Sequence, residues 1–511
     1  MHRSVGVIVL VGLVLRLEAQ DSLAQRYAAS ISPMDLRAHL YFLADDLLEG
    51  RETGQRGQHL AALYIRTRFM GMGLPGGNGG EYDQRYYLAR TTIDSASIQV
   101  GGQRYDYGVD FMAAEGQLPD TLSGDLTFVG YGIQSEDYDN LSKLKLRGDI
   151  AVMLAGGPQL DTSTRLLARL QTWRNRCEAL AAAGARAVLI ILPDSVYRPV
   201  SRYARRSFSG VSDGSKPGIP VLYLSESLGD ALLTLAGADV PSLQLELATS
   251  DKPDKLRFKQ ADFALRASVQ REALPAQNVL AYLEGTDRKD ELVVVTAHYD
   301  HIGINGRGEV NNGADDDASG TSGVLEIAQA FALAAQEGHR PRRSLLFMTV
   351  SGEEKGLLGS EFYADHPVYP LAQTVANLNI DMIGRIDERY EGGPDSTGYV
   401  YVIGSDRLSS ELHAINEAAN ETYTRLRLDY KYNADNDPNR FYYRSDHYNF
   451  AEKGIPIIFY FNGTHADYHR PGDDPDKINY DKLARISQLV FYTAWELAWR
   501  DSRIVVDKSG E

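Results

Sequence analysis

Residues 345–360 read LLFMTVSGEEKGLLGS. The six residues from Leu345 to Val350 form the continuous apolar run of a strand buried on both faces. Two carboxylates, Glu353 and Glu354, follow it at once. Adjacent like charges at the end of a buried strand are costly unless a cation compensates them. The same unit recurs nearby. Leu292–Ala297 runs into HYDHIG (298–303), with His298 and Asp300. A strand near Val375–Ile380 ends at Asp381, and Ile455–Phe461 leads into NGTHADYHRPGDD (462–474), with His465 and His469. Between these runs lie helical patterns: Val324, Ile327, Ala328, Phe331 and Ala335 ahead of Gly338, and a closing stripe of Leu483, Ile486, Leu489, Val490 and Leu497. Apolar strands alternating with helices predict an α/β domain, its mainly parallel, mixed sheet covered by helices on both faces.

The rest of the chain has a different texture. Residues 33–75 carry a helical pattern and end in glycines. From about 96 to 272 short strands dominate (Leu126–Val129, Ile150–Leu154, Ala187–Leu192, Val221–Leu224), with one helix over roughly 171–183 and no grouping of His with Asp or Glu. This stretch reads as a smaller β-rich insert, at 96–272, within a discontinuous main domain of 30–95 plus 273–500. A length of 511 residues suits two or three domains. The net charge of −16 disfavours nucleic acid and anionic membranes as partners. The single cysteine, Cys177, excludes an internal disulfide and reads as a buried helical thiol. His2 and Arg3 precede the apolar stretch 5–15, which is short for a membrane span. Residues 1–19 therefore read as a signal peptide, and the mature protein as secreted or periplasmic, with no membrane segment after cleavage.

In open α/β sheets, sites form outside the carboxyl ends of the strands. That rule lets His298, the Asp315-Asp316-Asp317 triplet of NNGADDDASG (311–320), Glu353, Glu354, Asp381 and His469 converge. Imidazole with carboxylate suits zinc. The carboxylates are too many for one closed tetrahedral site. Two metals about 3.5–4 Å apart, sharing a bridging carboxylate and activating a water, fit better. One of the paired glutamates can then bind metal while the other serves as general base. Asp300, two residues after His298 on an extended chain, can orient its imidazole. His301 and His465 read as loop residues, and Asp315 and Asp317 as turn-forming neighbours.

HYDHIG, GADDDASG, SGEEKGLLGS, IDMIGR and YHRPGDD, in that order, resemble the motif set of the co-catalytic di-zinc aminopeptidases. Those belong to the zinc-exopeptidase clan (phosphorylase/hydrolase-like fold) that also holds glutamate carboxypeptidase, glutaminyl cyclase and the transferrin receptor. The stretch containing VGYGI, LRGDIAVML and AAAGARAVLII is similar to the protease-associated insert of such enzymes. The resemblance covers roughly 30–500. It implies peptide substrates and two Zn2+ per chain. His298, Asp316 and Asp381 would hold one zinc, and Asp316, Glu354 and His469 the other, with Asp316 bridging. Glu353 would be the general base, and a cis peptide bond would follow Asp316. FYYRSDHYNF (441–450) offers Tyr442, Tyr443, Asp446 and His447 as substrate or oxyanion candidates. The alternatives on the same fold are a carboxypeptidase or glutaminyl-cyclase-type enzyme and a non-enzymatic receptor-like protein.

Overall fold

The computed structural model describes residues 22–509, apart from 114–117, 135–137, 143, 158–172, 202–205, 212–218, 249, 251–256 and 259–261. The signal-peptide reading of 1–19 lies outside the described residues. Among the described residues no helix is long and apolar enough to cross a membrane. The chain divides into two compact units, Met1–Tyr87 with Leu274–Glu511, and Leu88–Ala273. Both boundaries fall inside long strands, Asp83–Val100 and Phe263–Leu283.

The first unit is built on a mixed sheet. From one edge its strands are Arg427–Asp429, Tyr399–Ile403, Ile457–Phe461, Thr374–Ile380, Arg288–His298, Arg343–Val350 and the end of Phe263–Leu283. Ile457–Phe461, Thr374–Ile380, Arg288–His298 and Arg343–Val350 pair in parallel. Tyr399–Ile403 and Val279–Leu283 pair antiparallel to that central block.

Successive side chains on a strand face opposite ways, and the apolar runs use both directions. Val293, Val295, Leu345 and Phe347 enter one core, beneath the helices Pro33–Leu43, Arg56–Gly71, Gly320–Gln336 and Tyr480–Trp499. Leu292, Val294, Leu346, Met348 and Val350 enter the other, with Tyr363 and Phe450 from the helices Leu358–Asp365 and His447–Glu452. Burying each such side chain contributes about 1.5–3 kcal/mol, so both faces anchor the sheet under its helices and fix where its strands end. The helical pattern at 33–75 resolves into two helices joined by the tight turn Asp46–Arg51.

The second unit centres on a six-stranded sheet in which Leu126–Phe128, Ile150–Leu154, Ala187–Ile191 and Val221–Leu224 are parallel neighbours. Four helices among the described residues, Trp173–Ala182, Asp194–Ser201, Glu226–Thr234 and Val240–Leu247, accompany it. It is more helical than its run of short strands implied. Cys177 lies on the first of these helices, only partly buried.

Candidate metal centre

Three neighbouring parallel strands deliver the first residues. His298 ends Arg288–His298 and pairs with Val350. Glu353 and Glu354 open a tight turn that starts three residues beyond Val350, after Gly352 at φ +77°. Asp381 directly follows Thr374–Ile380. His469 comes from the loop after Ile457–Phe461, with a left-handed φ of +56°. Asp316 sits in the turn ahead of helix Gly320–Gln336, and its peptide bond to Asp317 is cis.

The side chains fall into two adjoining groups. His298, Glu353 and Asp381 present ligand atoms within 4.8 Å of one another, as do His301, Asp316 and Glu354. Asp316 faces both groups. Its Oδ1 lies 3.2 Å from His298 Nε2, and its Oδ2 lies 3.1 Å from His469 Nε2. His298 Nε2 is 3.6 Å from Asp381 Oδ1 and 4.0 Å from Glu353 Oε2. His469 Nε2 is 3.2 Å from Glu354 Oε2, and His301 Nδ1 is 2.7 Å from Glu354 Oε1.

This donor set fits a metal. His301 Nε2 is buried with no hydrogen bond, and His298 Nε2, His301 Nδ1 and Glu354 Oε1 are buried and meet only other groups of the cluster, at ion-pair distance but without hydrogen-bond geometry. Buried polar atoms without partners are rare in folded proteins and call for a ligand. The electrostatics agree. Burial alone would lower His298, yet Glu353 and Asp381 hold it well above the usual histidine range. Against its own burial, His469 is pushed up to about 10 by hydrogen bonds with Asp316 and Glu354. Despite burial and the nearby Asp316, His301 and His469 hold Glu354 at about 2. Burial, helped by Glu354 and Asp381 and opposed by His298, pushes Glu353 well above the carboxylate range. The cluster is a concentration of negative charge that wants positive charge at its centre.

A surrounding frame fixes these groups. Ser445 Oγ donates to Asp381 Oδ2 at 2.6 Å and accepts from Asn379 Nδ2 at 2.9 Å. Asn379 Oδ1 in turn accepts from Thr296 Oγ1 at 2.6 Å. Asp473 accepts from the backbone N–H groups of Asp315 and Asp316, tying the His469 loop to the Asp316 turn. Asp317 accepts from Gly320 N and Met382 N, and Asp315 from Gly384 N, so both shape turns. The Asp300 carboxylate stands 3.7 Å from His298 Nδ1, while its carbonyl is nearer at 3.1 Å. That carboxylate also accepts from Thr53 Oγ1 at 2.6 Å and Glu353 N at 3.3 Å. Arg51, fully buried, donates to the carbonyls of Leu43, Tyr299, Asn312 and Gly313, pinning the loops on either side of His301 and Asp316.

A cleft opens onto the cluster. Asp316, Glu353, Asp381 and His469 line it together with Met382, Phe441, Arg444, Phe459, Phe461 and Tyr468. A roomier cavity of about 340 Å³ beside Gly384, Arg385 and Lys477 contains none of the clustered ligand groups.

The structure therefore brings His298, Asp316, Glu353, Glu354, Asp381 and His469 together, with Asp300 behind them. It does not bring the candidates from 441–450 to the same cleft. Tyr442 is packed under Arg407, with the guanidinium 4.1 Å from its ring. Tyr443 turns outward against Arg440. His447 is buried on Phe459 and donates to the Tyr442 carbonyl at 2.8 Å. Asp446 is buried and accepts from Ser360 Oγ at 2.5 Å. Three residues of the site were not singled out from sequence. His301, read as a loop residue, is fully buried within the cluster. Tyr468 stacks on His469 with ring centroids 3.9 Å apart. Arg51, inside the single helical pattern read over 33–75, lies in the turn between the helices Pro33–Leu43 and Arg56–Gly71.

Comparison with known proteins agrees with this geometry. The profile of Peptidase family M28 matches residues 278–494, the span that supplies every clustered side chain. Aminopeptidase YwaD of Bacillus subtilis (strain 168) is 24% identical over 403 residues, covering 76% of this chain and 75% of that one. A probable leucine aminopeptidase of Arthroderma benhamiae is 30% identical over 220 residues, covering 42% of this chain and 56% of its own length. Among solved structures, the aminopeptidase from Aneurinibacillus sp. strain AM-1 shares the fold, with a TM-score of 0.55 at 19% identity over 95% of this chain and 98% of that one. The strand-end ligand groups thus all lie inside the span, residues 278–494, that is similar to Peptidase family M28.

Proposed function

We propose that the protein is a zinc-dependent aminopeptidase that works through two metal ions bridged by Asp316. The observation that carries this reading is the placement of the two Asp316 oxygens, one 3.2 Å from His298 and the other 3.1 Å from His469. His298, Asp381 and Asp316 Oδ1 would hold one zinc; His469, Glu354 and Asp316 Oδ2 the other. His301 would support the second set through Glu354. Bound zinc would polarise the scissile carbonyl and acidify a water for attack.

The chain's own groups do the rest. Glu353 stays outside both ligand sets. Its carboxylate takes the proton of the attacking water and delivers it to the leaving amine. The burial that raises Glu353 suits a group that must hold a proton and then release it. Tyr468 accepts from Arg444 Nη2 at 3.3 Å, which leaves its own O–H free to donate to the developing oxyanion. Asp300 and Ser445 keep His298 and Asp381 from turning. The names of the related enzymes support the exopeptidase direction. The N-terminal composition supports export, and the Leu88–Ala273 unit fits the protease-associated insert.

The test is mass spectrometry of one peptide with a free and with an acetylated N-terminus, each with and without chelator. Stepwise loss from the free N-terminus alone, stopped by chelator, is the expected result. Trimming of the acetylated peptide from its C-terminus would replace this reading with a carboxypeptidase.

A further inference from the structure

Arg444 is the one lysine or arginine among the described residues lining the cleft, whose other charged groups are the acidic and histidine cluster. Its guanidinium is held in place on two sides. Nη2 donates to the Tyr468 hydroxyl at 3.3 Å, and the group lies 4.8 Å from the Phe441 ring centroid. Tyr468 stacks on His469, so this cation stands one aromatic ring away from the ligand cluster. Several other arginines of this unit are paired with carboxylates. Arg385 pairs with Asp467, Arg407 with Asp435 and Arg389 with Asp429. Arg444 has no carboxylate within ion-pair distance among the described residues, although its planar fork suits one.

We propose that Arg444 binds a carboxylate of the substrate, and that this is the terminal carboxylate of a dipeptide. The proposal rests on the aminopeptidase reading above. Met382, Phe441, Phe459 and Phe461 make the wall of the cleft apolar. That wall suits the side chain of the N-terminal residue and offers an acidic one no solvation of its own. The residue after the scissile bond is then the one that carries the anion to Arg444. A guanidinium paired to a carboxylate on a flexible substrate adds binding, so its removal acts on KM more than on kcat.

The experiment compares the zinc-loaded protein with Arg444→Gln and Arg444→Lys on four substrates: leucyl-alanine, leucyl-alaninamide, glutamyl-alaninamide and N-acetyl-leucyl-alanine. The parent is expected to prefer leucyl-alanine to its amide. Arg444→Gln is expected to lose about tenfold to a hundredfold in kcat/KM on leucyl-alanine, mainly through KM, as removal of one charge-assisted contact predicts. On leucyl-alaninamide the loss is smaller and falls on kcat, through the released Tyr468 hydroxyl alone, so the preference for acid over amide collapses. Arg444→Lys keeps part of the preference. Equal losses on acid and amide overturn the proposal, as does a parent indifferent to amidation. A loss confined to glutamyl-alaninamide keeps the carboxylate contact but overturns the dipeptide assignment, placing the anion on the first side chain. Cleavage of N-acetyl-leucyl-alanine defeats the aminopeptidase reading instead, and is recognised separately because it needs no free amine.

Discussion

Replacing Arg51 by methionine tests whether a single buried cation sets the loops of the metal centre. The side chain is fully buried and donates four hydrogen bonds, to Tyr299 O (2.8 Å), Leu43 O (2.5 Å), Asn312 O (2.6 Å) and Gly313 O (2.8 Å). Burial lowers its pKa to about 10, against the pull of Asp300 and Asp316, so it stays charged at neutral pH. Hydrogen bonds from a charged donor contribute about 1.5–3 kcal/mol each, roughly 6–12 kcal/mol in all for four. Regained solvation of the guanidinium in the unfolded chain offsets part of this. Truncating a buried charged partner typically leaves a net loss of about 3–5 kcal/mol. We expect Arg51→Met to cost about 4 kcal/mol, a melting shift on the order of 10 °C. Arg51→Lys keeps the charge, but one ammonium cannot reach four carbonyls, so its loss is intermediate. Thermal unfolding and urea titration of the metal-free protein, followed by tryptophan fluorescence, read both variants. A methionine variant within about 1 kcal/mol of the parent, or a lysine variant equal to it, would refute the reasoning.

Three further outcomes are expected. Glu353→Gln should lower kcat by roughly a hundredfold to ten-thousandfold while zinc content, read by atomic emission, is unchanged. Ser445→Ala removes the 2.6 Å hydrogen bond to Asp381, and should weaken zinc affinity by about 10–100-fold in a competitive chelator titration. His447 is fully buried and held neutral, its pKa lowered to about 3 by burial. An unfolded histidine takes up a proton near pH 6.5, so the unfolded state binds more protons between about 6.5 and 3. The stability contributed above that window is lost as pH falls, by about 1.4 kcal/mol per unit. In His447→Gln this part of the slope should vanish from stability measured across that range; an unchanged slope would exclude His447 as its source.

The sequence carries the site unevenly, for physical reasons. His298, Glu353, Glu354 and Asp381 were legible because continuous apolar strands announce where they end, and a parallel sheet puts those ends side by side. Asp316 and His469 were legible through motif resemblance. His469 has a left-handed φ and Asp316 sits in an irregular turn, neither of which local patterns encode. His301 was passed over because a histidine three residues beyond a strand usually faces solvent. Here the backbone of His301 donates to Arg51 O and bridges to Glu52, which turns the imidazole inward. Its signal was HYDHIG itself, two histidines flanking one aspartate. Arg51 could not be read at all, since its partners lie up to 262 residues away. The long strands Asp83–Val100 and Phe263–Leu283 escaped notice because many of their positions are exposed or only part-buried, so polar residues interrupt the alternation. The 441–450 candidates share one short segment, yet the turn Phe441–Tyr443 and the helix after it send those side chains in different directions.

The measurement that bears most directly on the central claim is zinc per chain, by atomic emission on protein dialysed against trace zinc, for the parent and for Asp316→Ala. Two ions per chain in the parent, with both sites weakened together in the variant, is the result predicted for a carboxylate facing both groups. One ion in the parent, or a variant that loses one ion and keeps the other at full affinity, would contradict it.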